Sequence, residues 1–132
     1  MRINCSDDEE FGGQFVLWEA NCRRSIKGRH GQAALRELRD VLLSLPSKRL
    51  IAGALEHDGE FCAIGAYAKA KGVDLGTSTP EDDNHDAAGV KAGMPRLVAW
   101  TVVYENDEAI HYEPPEARYA RMLRWVESCL AK

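Results

Sequence analysis

The chain has 132 residues, of which 45% are apolar and 29% charged, so it can form one domain with its own core. Its formal net charge is −4, which excludes a global positive field and leaves only local clusters to attract nucleic acid. No apolar segment approaches the roughly 20 residues of a membrane span. Acidic residues at 7–10 stand where a secretion signal would be basic and then apolar. We therefore expect a protein that is neither inserted into a membrane nor exported by its own signal, and that has no membrane partner.

The chain opens with an acidic leader, residues 1–12, which we expect to be mobile, and residues 13–132 are predicted to form a single globular domain. Apolar side chains then recur at spacings of three and four, which predicts a first helix over about 13–27. A second helix is predicted over about 30–45, with a broad leucine stripe that ends at Pro46. Two helices with so short a link should pack as a hairpin.

The pattern changes after Lys48. Leu50–Leu55 and Phe61-Cys62 are predicted as two short strands around an Asp58-Gly59 turn, which gives a β-hairpin over about 49–62. Further helices are predicted over 63–71, from Pro95 to about 105, and from Pro114 to the chain end, with a single turn through 86–92. The expected fold class is α+β, mainly α, with about five helices packed around one short hairpin.

A basic cluster is the first candidate site. Arg23, Arg24, Lys27 and Arg29 place four positive charges where the first helix ends and the second begins. Free N–H groups of the second helix, with Gly31 allowing close approach, can hold a phosphate or a carboxylate there. The alternative is that these cations complement the helix dipole and keep the surface solvated. A basic row on the last helix (Arg118, Arg121, Arg124) is a possible extension of this site.

Cys62 is the second candidate, because a thiol between a strand and a helix start can be activated by the helix dipole. It would need a base, for which His57 and His111 are the candidates, with Asn106 or Asp107 to orient one of them. The alternative is a small thiol that fills a tight joint before Gly65. The cysteine spacing gives no metal site. Four thiols could form two disulfides, but a chain with an adequate core does not need them, so we expect reduced, buried thiols. Nucleotide-binding and hydrolase fingerprints are absent, and no cofactor is expected.

Acidic segments are the third candidate. Residues 7–10 and 81–86 each carry four acids and can imitate a phosphate backbone toward a basic partner. The alternative is that they are solvated loops, the usual role of charge runs.

Five segments, taken together over about 18–130, carry a resemblance. They are RSIKGRHGQ, LPSKRLIAGAL, DGEFCAIGAYAKAKG, YENDE and PPEARYARMLRWVE. In this order they resemble a widespread family of small, uncharacterised phage and prophage proteins. Cys62, Gly65, Asn106 and Asp107 match recurrent positions of that family. Its usual Thr-Pro-Glu is Pro114-Pro115-Glu116 here, which removes the Thr cap of the last helix.

The resemblance implies a phage setting and a location in the bacterial host cytoplasm, but it implies no activity. We expect an accessory protein that acts by stoichiometric macromolecular binding, as an inhibitor of a bacterial defence system such as a CRISPR effector. Its partner would be a host protein or a protein–nucleic acid complex. One alternative is a nucleic-acid-binding accessory protein that uses the 23–29 cluster, and another is a small cysteine hydrolase or transferase built on Cys62. The missing catalytic fingerprints favour the non-enzymatic functions.

Overall fold

The computed structural model describes residues 16–76, 85–108, 110 and 112–131. Over these residues the fold is α+β and mainly α, as predicted, with six helices and one two-stranded antiparallel hairpin. The predicted leader, 1–12, lies outside the described residues. The helices are α1 (Val16–Lys27), α2 (Arg29–Ser44), α3 (Ala63–Ala70), α4 (Asp86–Lys91), α5 (Arg96–Asp107) and α6 (Pro115–Cys129), and the strands are β1 (Glu56–His57) and β2 (Glu60–Phe61).

α1 and α2 meet at Gly28, whose extended backbone (φ −69°, ψ 165°) turns the chain between them. The predicted apolar stripes pack on one another, because Cys22 and Ile26 of α1 lie in the same buried cluster as Leu35 and Leu38 of α2. The two helices therefore form the predicted hairpin. We call the segment where α1 ends and α2 begins, residues 23–31, the elbow.

The β-hairpin begins later than predicted. Asp58 and Gly59 both have positive φ (52° and 80°), the conformation of a two-residue type I′ turn, so the paired residues are Glu56 with Phe61 and His57 with Glu60. Residues 50–55, predicted as the first strand, bend instead. They cross β2 through isolated hydrogen bonds, such as Ile51 N to Phe61 O at 3.0 Å.

The later helices build the rest of the core. Val98 and Val102 of α5 and Met122 and Val126 of α6 are fully buried beside the leucines of α2. The last turn of α5 carries a buried acid, Glu105, whose carboxylate lies 3.7 Å from Nη1 of Arg121 on α6. None of the helices in the described part of the chain is long and apolar enough to cross a membrane.

Candidate anion-binding site at the elbow

The elbow places the predicted basic residues around one turn of the chain. Arg24 and Arg29 are exposed, and neither forms an ion pair with an acid among the described residues. Arg24 only donates from Nη1 to the neutral Asn21 Oδ1, at 3.1 Å. Arg23 is half-buried and Lys27 is exposed, and both already interact with other groups. Arg24 and Arg29 are therefore the two cluster residues whose charges are offered to solvent without a described counter-charge.

A cleft of about 450 Å³ opens beside Arg29. One wall comes from the elbow, and the other comes from the α4–α5 turn, about 60 residues later in the chain. The residues that line it are Ser25, Gly28, Arg29, His30, Gly31, Val90, Gly93, Met94 and Pro95. Exposed Lys91 and Arg96 flank the second wall in sequence, so further positive charge lies near the cleft.

The first turn of α2 faces this cleft with unused donors. The first amide of the helix that donates to a carbonyl is Gln32 N, to Gly28 O at 2.9 Å. The N–H groups of Arg29, His30 and Gly31 have no partner among the described residues. Arg29 stands at the positive end of the helix dipole, where an acid would be the stabilising residue, so it strengthens the local positive potential. An anion at this point would meet both free N–H groups and a guanidinium.

Gly31 has a structural role beyond the one predicted. A Cβ built on Gly31 would lie 2.0 Å from Ser25 O and 2.9 Å from Ile26 O, so only glycine lets α2 begin so close to the end of α1. Gln32 then fastens the elbow to the end of α6. Its Nε2 donates to Ile26 O and to Cys129 O, both at 2.9 Å. The elbow is thus a rigid joint.

The prediction of an exposed basic row on α6 is wrong. Arg118 is buried, and its Nε donates to Asn106 O at 3.0 Å. Arg121 forms a two-pronged ion pair with Glu113, with Nε–Oε2 at 2.8 Å and Nη2–Oε1 at 2.9 Å. Its Nη1 also lies 3.7 Å from Oε2 of fully buried Glu105. Of this row only Arg124 is exposed, because helical spacing cannot reveal acids that the fold brings from other elements.

Cys62 lies at a structural joint. Its side chain is 3% exposed, and its Sγ accepts a hydrogen bond from Gly65 N at 3.3 Å, which caps α3. Burial raises the pKa of the Cys62 thiol to about 12, so the thiol is protonated at neutral pH. Of the predicted bases, His57 is exposed beside Asp58, and His111 lies outside the described residues. The geometry does not favour the proposed cysteine nucleophile.

Asn106 completes this joint. Its Oδ1 accepts from Ala63 N at 3.0 Å, the first amide of α3, and its Nδ2 donates to Ile51 O at 2.8 Å and to Asp107 Oδ1 at 2.6 Å. A Cβ at Gly65 would lie 2.0 Å from Leu55 O, which explains the glycine. Cys62, Gly65, Asn106 and Asp107, the positions that carry the predicted resemblance, therefore meet in or beside one helix-capping joint.

The two other described cysteines, Cys22 and Cys129, differ in their oxidation state. Cys22 is free and buried, like Cys62, as predicted. Cys129 is disulfide-bonded, with its partner outside the described residues, so the prediction of four reduced thiols is wrong for Cys129. Sequence spacing cannot show which sulfurs the fold brings within bonding distance. No group of three or more potential ligands is arranged to hold a metal ion among the described residues.

The predicted acidic segments are only partly described. Residues 7–10 and 81–84 lie outside the described residues. At the end of the second segment His85 is buried and Asp86 begins α4.

No protein-family model, no curated protein and no solved structure matches this chain. The resemblance to a phage family stays a prediction. Sequence reasoning found the cations of the elbow, but it missed the second wall of the cleft, for which the local Gly93-Met94-Pro95 turn gives no signal.

Proposed function

We propose that this chain is a stoichiometric binding protein whose elbow engages the phosphate backbone of a nucleic acid, bound alone or within a protein–nucleic acid complex. The observation that carries the proposal is that Arg29 lines the cleft together with the first turn of α2, with no counter-charge and no partner for the first amides among the described residues. Exposed Arg24 lies next to this turn, because its carbonyl accepts from Gly28 N at 3.0 Å. A phosphate oxygen would accept from the amides while the guanidinium groups neutralise its charge.

A duplex fits this surface better than a single strand. Proteins that bind single strands stack bases on aromatic side chains, and the residues that line the cleft include no Phe, Tyr or Trp. Contacts to phosphate carry no sequence information, so we expect binding that is independent of sequence. With a net charge of −4, the rest of the molecule repels a nucleic acid, which confines contact to the elbow.

The test is fluorescence anisotropy with a labelled 20-base-pair duplex of mixed sequence at 50 mM salt. We expect the wild-type protein to bind and the Arg24→Ala/Arg29→Ala double variant to bind about tenfold more weakly, because two phosphate contacts are lost. The matched control is Lys69→Ala/Arg124→Ala, which removes two exposed cations of α3 and α6 and should leave the affinity unchanged.

Equal affinities of the wild type and the elbow variant would contradict the proposal, as would the absence of binding at 50 mM salt. Equal losses in the elbow variant and in the control would show that only total charge matters, which would also contradict it. The phage setting and the inhibition of a bacterial defence system stay predictions, because no contact of the described residues bears on them.

A further inference from the structure

A second surface lies at the other end of α5, where aromatic rings meet acidic side chains. Trp100 and Tyr104 stack with ring centroids 5.4 Å apart and planes at 13°, and Trp18 of α1 meets Trp100 edge-on at 5.2 Å. Trp18 is 39% exposed, and its neighbour Leu17 is 72% exposed. Exposed rings of this kind are typical of the centres of protein interfaces.

A cavity of about 130 Å³ opens beside these rings. Pockets for drug-sized ligands measure roughly 300 to 1,000 Å³, so this one accommodates the head group of a single side chain. Its lining combines aromatic and acidic side chains: Asp86, Trp100, Val103, Tyr104, Asp107 and Glu108. We call these residues, with Leu17 and Trp18, the aromatic–acidic face.

Among the residues that the structure describes, the carboxylates of this face have no counter-charge. Asp86, Asp107 and Glu108 form no ion pair with a cation among the described residues. Asp107 accepts only from the neutral amide of Asn106, which leaves its charge in place. Asp107 and Glu108 also lie at the end of α5, where the helix dipole is negative and acids are unfavourable. The three carboxylates and the negative end of the α5 dipole therefore give the pocket a negative potential, and Trp100 and Tyr104 form its aromatic walls.

We infer that the aromatic–acidic face docks a segment of a partner protein through an arginine side chain of that segment. Charge complementarity requires a cation, and aromatic rings attract cations through their negative faces. Guanidinium suits the pocket better than ammonium, because it is weakly hydrated, stacks on rings and can bridge more than one carboxylate with its five donors. Exposed Leu17 and Trp18 supply apolar contact for the residues on either side of the arginine.

This inference does not depend on the elbow. Pro95 lines the elbow cleft and Glu108 lines the acidic pocket, and the twelve residues of α5 between them span about 18 Å. The two surfaces carry opposite charge and use different residues. Each can therefore fail its own test while the other stands.

The probe is a blocked pentapeptide, Gly-Leu-Arg-Leu-Gly, compared with the same peptide carrying citrulline, which keeps the shape of arginine without its charge. Binding is followed by the NMR shift of the Trp100 indole N–H, assigned with a Trp100→Phe variant. We expect the arginine peptide to shift this resonance saturably at 50 mM salt and to bind at least tenfold more tightly than the citrulline peptide. The buried Trp125 resonance should stay in place.

Two charge variants locate the contact. Asp86→Asn/Glu108→Gln should weaken binding of the arginine peptide about tenfold, because both carboxylates line the pocket. Glu56→Gln/Glu127→Gln removes two acids from β1 and from the last turn of α6, and it should leave the affinity unchanged. The comparison of arginine with citrulline uses only the wild-type protein, so it decides the question even if a variant fails to fold.

Several results would overturn the inference. The first is equal affinity for the arginine and citrulline peptides, or no shift of Trp100. The second is binding of blocked free arginine as tight as that of the peptide, which would make a small cation the ligand. The third is concentration-dependent sedimentation that the Trp18→Ala substitution abolishes, which would make a second copy of this chain the occupant.

Discussion

The elbow and the α5–α6 contact both contain arginines, but they differ in burial and in ion pairing. Arg24 and Arg29 are exposed and have no described acid beside them, whereas Arg118 and Arg121 lie inside the molecule against Glu113 and backbone carbonyls. On the sequence alone both sets are basic clusters on helices. The difference teaches that a cation becomes a binding group only where the fold brings it no acid.

The largest effect on stability should come from removing one of the arginines at the α5–α6 contact. Arg121→Met leaves the carboxylates of Glu113 and Glu105 buried with less compensation, so we expect a loss of about 3 to 5 kcal/mol in the free energy of unfolding. Urea denaturation measures this loss. Arg24→Ala/Arg29→Ala should change the same free energy by less than about 0.5 kcal/mol. Similar losses in the two variants would remove the distinction between the two regions.

Asn106→Ala should cost about 2 to 3 kcal/mol, because it leaves the N–H of Ala63 and the carbonyl of Ile51 without their partner inside the protein. The matched control is Asn21→Ala, two residues before the elbow, where the amide accepts only from exposed Arg24 among the described residues. We expect that control to stay within about 0.5 kcal/mol of the wild type. Thermal or urea unfolding of the two variants checks the contrast, and a loss below 1 kcal/mol for Asn106→Ala would contradict the capping role.

Gly31→Ala should destabilise the protein by about 1 to 3 kcal/mol, because its Cβ would collide with Ser25 O in the elbow backbone. Gly28→Ala, three residues earlier, meets its nearest backbone atoms at 3.4 and 3.6 Å, so it should cost only the roughly 0.5 to 1 kcal/mol by which alanine is a poorer N-cap than glycine. Denaturation curves for the pair test the elbow geometry. If both alanines are tolerated equally, α2 does not begin where the structure places it.

The titration of the Cys62 thiol should have the smallest effect on the free energy of unfolding at neutral pH. Because burial raises the pKa of its thiol from 9.0 to about 12, the folded state keeps a proton that the unfolded state releases above pH 9. This contribution to stability is present below pH 9 and is lost as the pH rises from 9 toward 12. Iodoacetamide at pH 8 should leave Cys62 unlabelled in the folded protein and label it in urea, as read by mass spectrometry. Rapid labelling in the folded state would restore the cysteine enzyme as a candidate.

Much of the fold could be predicted because its signals are local. The leucine stripe of α2, Pro95 before α5 and Pro115 at the first turn of α6 each mark an element within a few residues. The hairpin turn was also predictable from Asp58-Gly59, but the strand before it was not. Residues 50–55 are apolar although they do not form a strand, because they cross β2 and meet the start of α3, where Leu55 O accepts from Cys62 N.

The site could be predicted only in half. The elbow cations are neighbours in sequence, so a charge count finds them, but the α4–α5 wall of the cleft is joined to them by the fold. The same limit explains the error on α6. Glu113 pairs with Arg121 from the loop before α6. Asn106 accepts from the first amide of α3, from 43 positions away in the chain. Long-range partners of this kind leave no periodic signal in the chain.

The most direct test of the central claim is the salt dependence of duplex binding between 50 and 200 mM. If Arg24 and Arg29 each contact one phosphate, the slope of log K against log salt should become shallower by about 1.8 in the Arg24→Ala/Arg29→Ala variant. Arg124→Ala should keep the wild-type slope. An unchanged slope in the elbow variant, or a wild-type slope near zero, would contradict the account.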